Sequence, residues 1–507
     1  MKFNTIKLIL LVLVLMQVSC DNALDLEPED RQDLTINSIS DTEGLLLGVY
    51  FQVFRDFQQR AMTGLPQSAN QFFRLTAPEN NVFNFRPAMR ADNDGGADRY
   101  WEVGYNAIAR ANFLIDNIDL VDENSFPEGS TPGISRKEEI IGEARFLRGH
   151  VYYYLTKLFG DVPLITQFPE SSDPGANDVA RTPVEEVRAF YTSDFESAAA
   201  SLPWRYTNLL DENNSNENGE TINSKGRVTK GAAKLMLAKL AAEDQEWENV
   251  IGLVNEIENS GEFTLVDDFF SIFGTFFQNT DESIWEIQTF NPGFNNQGGY
   301  LFLVPDVRIN SVPPEKYFLY EGDEDDPKDL RQGVTARRAP LFGEVYYRGV
   351  KFIPFDVDGS RIFDDPTNFV LLRLADALLL KAEALNETSY PNQEALDIIN
   401  QLRGRTAGTY NNITYPGVDP VSFDTLSTQD SFREFLRDER ERELMLEPHQ
   451  FFDLLRYDSY DGGNRALLAT SLDPSSPGGG GNPGKLLLPI PIRDLEINPL
   501  LTQNPGY

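Results

Sequence analysis

Glu143 to Ile165 reads EARFLRGHVYYYLTKLFGDVPLI, and this stretch decides the fold class. Upstream of it, Ser135 and Glu138 form the S-x-x-E capping box that starts a helix. The helical pattern then runs to Phe159-Gly160, where glycine stops it and Asp161-Val162-Pro163 turns the chain away. His150 sits mid-helix beside Val151 and Tyr152.

Working outward, the same signals recur. Leu45, Leu46, Val49, Tyr50, Val53 and Phe54 keep three-to-four spacing in a helix that begins near Thr42. Trp101, Tyr105, Ile108, Asn112 and Ile115 stripe a helix from about Arg99 to Asp119. Thr182, Pro183 and Glu185 read as a cap, a proline at the first helical position and a carboxylate. The stripe behind them is Val184, Val187, Tyr191, Phe195, Ala198 and Leu202. Val228 to Ala242 and Trp247 to Glu258 form one helix pair, Phe369 to Glu387 and Gln393 to Thr406 another. Phe432 to Leu446 is a late, charged helix whose Arg437/Glu441 and Asp438/Arg442 pairs at i,i+4 read as a solvated face. Paired antiparallel helices without a fixed period predict a mostly α fold: irregular tetratricopeptide-like helix pairs with long loop insertions and a few short strands.

The insertions are Leu65 to Asp98, Ser201 to Lys225 and Phe273 to Asp365, the third with room for short strands. Loops beyond about 12–15 residues are functional or disordered more often than they are connectors. Asn208 to Asn223 is rich in Asn and Glu and reads as mobile, whereas Leu65 to Asp98 and Phe290 to Phe355 are rich in Phe, Tyr and Arg and read as ordered.

The start of the chain gives an address. Lys2 and Lys7, then the apolar run Leu8 to Met16, then Ser19 before Cys20, make a secretory signal. Cys20 is the chain's one cysteine, so it has no disulfide partner within the chain. Its position predicts lipidation, although Gln17 stands where a lipobox usually has Leu. Asp21, Asp25, Glu27, Glu29 and Asp30 then make an acidic, solvated tether. It resembles the export signal that sends lipoproteins of the Bacteroidetes group to the outer face of the outer membrane. Acyl chains contribute about 0.8 kcal/mol per buried methylene. The expected division is residues 1–19 as signal peptide, 20–40 as lipidated tether and 41–507 as one helical domain, its N-terminal part about 41–270 and its C-terminal part about 271–507.

Lys+Arg 44 against Asp+Glu 79 gives a net charge of −35. That surface repels phosphate backbones and excludes nucleic acid as a partner. It is compatible with a neutral or cationic ligand, and equally with acidity that serves solubility alone. Enzyme signatures are missing: no HExxH, GxSxG, P-loop or CxxC occurs, and neither His150 nor His449 has a partner at metal-ligand spacing. Carboxylate counting leaves a glycosidase-type pair open. Asp92, Asp94 and Asp98, and Asp323, Asp325 and Asp326, offer oxygens to calcium, but Ala97 and Lys328 stand where an EF-hand needs glycine. No cofactor is expected beyond that possible calcium.

Several strings resemble the SusD/RagB family of surface glycan-binding lipoproteins. They are Leu24 to Pro28 (LDLEP), Glu143 to Ile165, Arg181 to Pro203, Gly226 to Val250, Leu371 to Glu387, Ala395 to Gly408, Arg437 to Asp458 and Leu487 to Tyr507. They run in order from one end of the mature chain to the other. The resemblance implies a helical body with four tetratricopeptide-like pairs and no catalysis. It also implies a SusC-like TonB-dependent outer-membrane transporter as partner, to which oligosaccharides, or in some relatives peptides, are handed. Its match over the charged helix implies that some of those charges hold the C-terminal segment in place.

A sugar site needs flat aromatic faces and planar polar side chains. Trp101 and Trp247 lie on helix stripes, Trp204 follows Pro203 at a helix end, and Trp285 lies in the strand-like ESIWEIQTF. The candidates are therefore loop residues: Phe83, Phe85, Arg86 and Arg90 in the first insertion, and Phe294, Asn295, Asn296, Tyr300, Tyr346 and Tyr347 in the third. Arg86, Arg90, Arg337 and Arg338 keep a peptide ligand open. A scaffold that binds no small ligand, and a hydrolase, are the competing classes.

Overall fold

A computed structural model describes residues 36–54, 97–168, 178–207, 226–273, 278–288, 311–312, 319–322, 326–341, 344–349, 351–352, 368–460 and 487–507. The capping box is present: Ser135 Oγ accepts from Glu138 N–H, and the Glu138 carboxylate accepts from Ser135 N–H. The helix it starts, Arg136–Phe159, is the centre of the N-terminal half. In chain order the preceding helices are α1 (Ile39–Phe51) and α2 (Ala97–Asn117), so Arg136–Phe159 is α3. Strands β1 (Val162–Pro163) and β2 (Arg181–Thr182) pair antiparallel and lead to α4 (Val184–Ser201).

Helix α3 is buried along almost its whole length, so its polar residues need partners. Arg148 supplies the main one. Its guanidinium donates to both Asp194 oxygens on α4 at 2.9 and 2.8 Å and to Asn112 Oδ1 on α2 at 2.7 Å. One side chain thus ties three helices. Gly142 and Gly149 let α4 approach: a Cβ at Gly142 would overlap Ser201 Oγ.

Helices α5 (Lys230–Glu243) and α6 (Trp247–Asn259) form a hairpin. Strand β3 (Ser283–Ile287) follows, then β4 (Ser311–Val312), α7 (Leu330–Thr335), β5 (Ala336–Leu341) and β6 (Glu344–Gly349). Next come β7 (Phe369–Arg373) and a second hairpin, α8 (Leu374–Thr388) and α9 (Gln393–Arg403), with α8 packed on α5 and α6. β8 (Ala407–Tyr410) and β9 (Ile413–Pro416) precede α10 (Gln429–Leu444), α11 (Gln450–Tyr460) and α12 (Ile492–Ile497). The mostly α expectation with short strands holds. No helix among the described residues is long and apolar enough to cross a membrane.

Four readings need correction. Phe369 to Arg373 is not the start of a helix but β7, paired antiparallel with β3; its first four residues, FVLL, are all apolar, and such a run does not tell strand from helix. Pro183 is the N-cap of α4 rather than its first helical residue: Thr182 belongs to β2 and Pro183 stays extended at ψ 143°. Phe273 to Asp365 carries the short strands expected of it, β3, β4, β5 and β6, but it also holds a helix, α7, so it is more than a loop with strands. The charged helix α10 is not a solvated face: Glu439, Arg440 and Glu443 are buried, and Arg440 donates to Asp376 and Asp453. That last contact does hold α11, part of the C-terminal segment, in place. Hairpin β8–β9 was not anticipated; Asn411 and Asn412, at φ 52° and 64°, turn it in the left-handed region that asparagine tolerates.

Candidate functional site

The described residues locate the roots of the long insertions. α1 carries the root of the first. Tyr50 O–H donates to Glu143 Oε2 at 2.6 Å and accepts from Val228 N–H at 2.8 Å. One turn on, the Phe54 ring lies 5.4 Å from Tyr50 and 5.6 Å from Trp285 on β3. The second insertion begins beyond Thr207 and rejoins the body at Gly226. Arg227 there donates to Glu143 (3.2 Å) and Glu43 (3.0 Å), and Tyr206 O–H donates to Val228 carbonyl. Arg136 completes this cluster through Glu43 and Glu143. Burial pushes the Glu43 carboxyl up, but Arg136 and Arg227 outweigh it and hold the group below its ordinary value. Burial, reinforced by Glu143, raises the Tyr50 phenol well above its own.

The third insertion leaves from the end of β3. Gln288 lies just past the ladder whose last pair is Ile287 with Phe369, and Asn368 faces it from the other strand. Asn368 Nδ2 donates to Gln288 Oε1 at 3.0 Å and to Glu286 Oε2 at 2.9 Å. Asn279 and Gln288 exchange two amide hydrogen bonds of 3.0 Å, and Asn279 N–H donates to Glu286. Gly226 packs on the Gln288 stem so closely that a Cβ would overlap it. The roots at Phe54, Gly226, Gln288 and Asn368 therefore meet around one strand, β3. At its far end the third insertion returns as β4, whose Ser311 and Val312 pair with Arg348 and Tyr347 on β6; Arg338 on β5 pairs with Tyr347 from the other side.

Tyr346 and Tyr347 thus lie on β6, at the centre of the sheet β4-β6-β5, and Arg337 and Arg338 on its neighbour β5. Phe83, Phe85, Arg86, Arg90, Phe294, Asn295, Asn296 and Tyr300 lie outside the described residues, as do Cys20, the tether up to residue 35, Asn208 to Asn223, and Asp92, Asp94, Asp323 and Asp325. Among the described residues no group of His, Cys, Asp and Glu could hold a metal ion. Trp285 is fully buried, against Phe146 and His150, rather than a ligand platform. Trp101 is core, 4% exposed. Sequence reasoning missed Gln288, Asn279, Asn368 and Gly226; the polar Gln288 ending the alternating strand SIWEI was the one signal.

Proton chemistry has no vehicle at the histidines. Burial drives the His150 imidazole down to about 3 and, with Lys239 beside it and despite Asp376, His449 down to about 4. Both are neutral at physiological pH and enclosed among aromatic rings or paired charges. The second large charge cluster, where Arg373 on β7 binds Glu282, Glu443 and Glu447 and Arg331 binds Asp329, Glu439 and Glu443, is sealed in the body. It fixes β7, and through β7 the strand β3.

The described ends of the long insertions thus meet around one strand of a mostly helical body. Comparison with known proteins gives the family. Residues 343–507 match the SusD family, and residues 24–239 match the related family described as starch-binding, associating with the outer membrane. The chain is 24% identical over 460 residues to SusD-like protein P25 of Formosa agariphila, covering 80% of this chain and 79% of that one. A laminarin-binding SusD-like protein superposes with TM-score 0.68 at 23% identity, covering 93% of this chain and 100% of that one. Surface glycan-binding protein A from Bacteroides uniformis gives 0.67 at 21%, covering 92% and 100%. The chain belongs to the SusD/RagB family, a non-enzymatic family of glycan-binding proteins associated with the outer membrane.

Proposed function

We propose that the chain is a lipoprotein, acylated at Cys20 and facing the cell exterior, that captures oligosaccharides or polysaccharides and delivers them to a SusC-like TonB-dependent transporter. The observation that supports this reading is the meeting of the described insertion roots, Phe54, Gly226, Gln288 and Asn368, around β3. Capture is by stacking on Phe83, Phe85, Phe294, Tyr300, Tyr346 and Tyr347, with hydrogen bonds from Arg86, Arg90, Asn295 and Asn296. No bond is made or broken. Laminarin, bound by one structural relative, and starch, named in the family description, are the first glycans to test.

Calorimetry of the purified mature chain checks this. Replacing Phe83, Phe85, Tyr346 and Tyr347 by Ala is expected to weaken glycan binding by about tenfold or more, the loss of about 1.4 kcal/mol or more of anchoring contact. Unchanged affinity sinks the site; affinity for peptides and for no glycan moves the ligand class; product release revives the hydrolase. Cys20→Ala should release the protein from the membrane fraction.

A further inference from the structure

The end of β3 holds more than a strand terminus needs. The β3–β7 ladder stops at Ile287 with Phe369. Beyond a last pair, the two backbones are free to diverge. Here side chains continue the link. Gln288 Oε1 accepts from Asn279 and Asn368, and Gln288 Nε2 donates to Asn279 Oδ1 and to the Glu286 carbonyl. An amide has two acceptor sites and two donors, so Gln288 is fully used. Beneath it the Glu286 carboxylate, 1% exposed, accepts from Asn279 N–H and Asn368 Nδ2. Gly226 is pressed on the Gln288 stem, and Trp285, three residues back, takes the Phe54 ring.

Resting on the glycan-binding reading above, we infer that Asn279, Gln288 and Asn368, seated on Glu286, form an amide clasp that fixes where the insertions leave the body, and so sets the spacing of the ligand platform without touching the ligand. Each partner comes from a different stretch: Asn279 precedes β3, Gln288 opens 289–310, Asn368 closes 353–367, and Gly226 closes 208–225. Stacking contacts need placement to roughly 0.5 Å. A satisfied polar network is suited to this, because its geometry is directional where apolar packing tolerates sliding. These are positioning residues, and the clasp acts through the loops they root.

Two variants disturb the clasp from different sides. Gln288→Leu removes its four hydrogen bonds at similar volume. Gly226→Ala drives a methyl into the Gln288 stem and leaves every amide in the sequence. Each variant is read by hydrogen–deuterium exchange on the full mature chain, by thermal melting, and by laminarin titration beside the Tyr346→Ala/Tyr347→Ala variant. Expected is faster exchange at the roots near Phe54, Gly226, Gln288 and Asn368 together, unchanged exchange in α8, and a nearly unchanged melting temperature. Laminarin affinity should fall about tenfold or more, as small misplacements near a site do. Exchange that rises only beside residue 288, or affinity that holds in both variants while Tyr346→Ala/Tyr347→Ala loses it, overturns the clasp and leaves the site standing. A wild-type chain that ignores laminarin counts against the glycan reading with that probe, and the exchange pattern still decides the clasp.

Discussion

Two of the charge clusters among the described residues are built differently. In the C-terminal half Arg331, Arg373 and Arg405 face Asp329, Glu282, Glu439, Glu443 and Glu447, and none of these residues is more than 5% exposed. In the N-terminal half Arg136 and Arg227 face Glu43 and Glu143, but the side chains of Glu43 and Arg227 remain 26% and 19% exposed. The sealed cluster joins elements of the body: α7, β7, α9–β8 and α10. The half-open cluster joins α1, α3 and the root of the second insertion. Complete desolvation is tolerated only where every charge is matched, and a position that water still reaches can lose a partner more cheaply. One cluster is architecture; the other is a set of supports beneath the candidate site.

The strongest test of that contrast is Arg373. Its guanidinium donates to Glu282, Glu447 and Glu443 at 2.7 to 2.9 Å. Arg373→Met fills similar space and leaves three buried carboxylates short of a cation. The expected cost is about 3–5 kcal/mol, because breaking a buried pair strands its partner's charge. Urea unfolding measures it, and a loss below about 1 kcal/mol would mean that the sealed cluster is not what holds β7.

The same contrast explains what could be read from the sequence. Helix starts such as Ser135 with Glu138, and hairpins such as Lys230 to Asn259, are local events written in adjacent residues. The sealed cluster is not local. On α10, Glu439 looks solvated because two of its arginine partners, Arg331 and Arg403, lie more than thirty residues away and only Arg442 is local. The pairing of β3 with β7 overrode a helical pattern for the same reason. At the candidate site, the richness of the insertions in Phe, Tyr and Arg was legible as composition. Their meeting around β3 was not, since it rests on Gln288 touching Asn368, eighty residues on.

Acid should act first through the buried histidines and then through the sealed carboxylates. His150 packs between Phe146, Tyr154 and Trp285 beneath the insertion roots, and burial lowers it from 6.5 to about 3. The unfolded chain therefore binds this proton first, and stability falls as pH drops below 6.5. At pH 5 the loss is about 2 kcal/mol for this residue. The sealed carboxylates Glu439, Glu443 and Glu447 are pushed up by burial but held net below 4.5 by their arginines. Their contribution is present above 4.5 and is lost only as pH falls through their lower folded values. His150→Phe, a swap within an aromatic cluster, should lessen the fall in unfolding free energy between pH 7 and pH 5, leaving the share of His449, which burial holds down at about 4, and the steeper decline below pH 4.5 in place. An unaltered upper limb would show that His150 does not carry it.

The smallest stability effect should come with the larger functional one. Arg227→Gln leaves Glu143 with Arg136 and Tyr50, and Glu43 with Arg136, so no carboxylate is stranded. The site is also partly wet, and the expected cost is about 1 kcal/mol. Yet Arg227 adjoins Gly226, which bears on Gln288, so its loss loosens the root of the second insertion against the third. Glycan affinity should fall in Arg227→Gln while the melting temperature barely moves, the reverse of Arg373→Met, whose refolded fraction should bind like the wild type. If both variants lose stability and affinity in proportion, the two clusters are one cooperative core, and the division of labour drawn from their exposure is wrong.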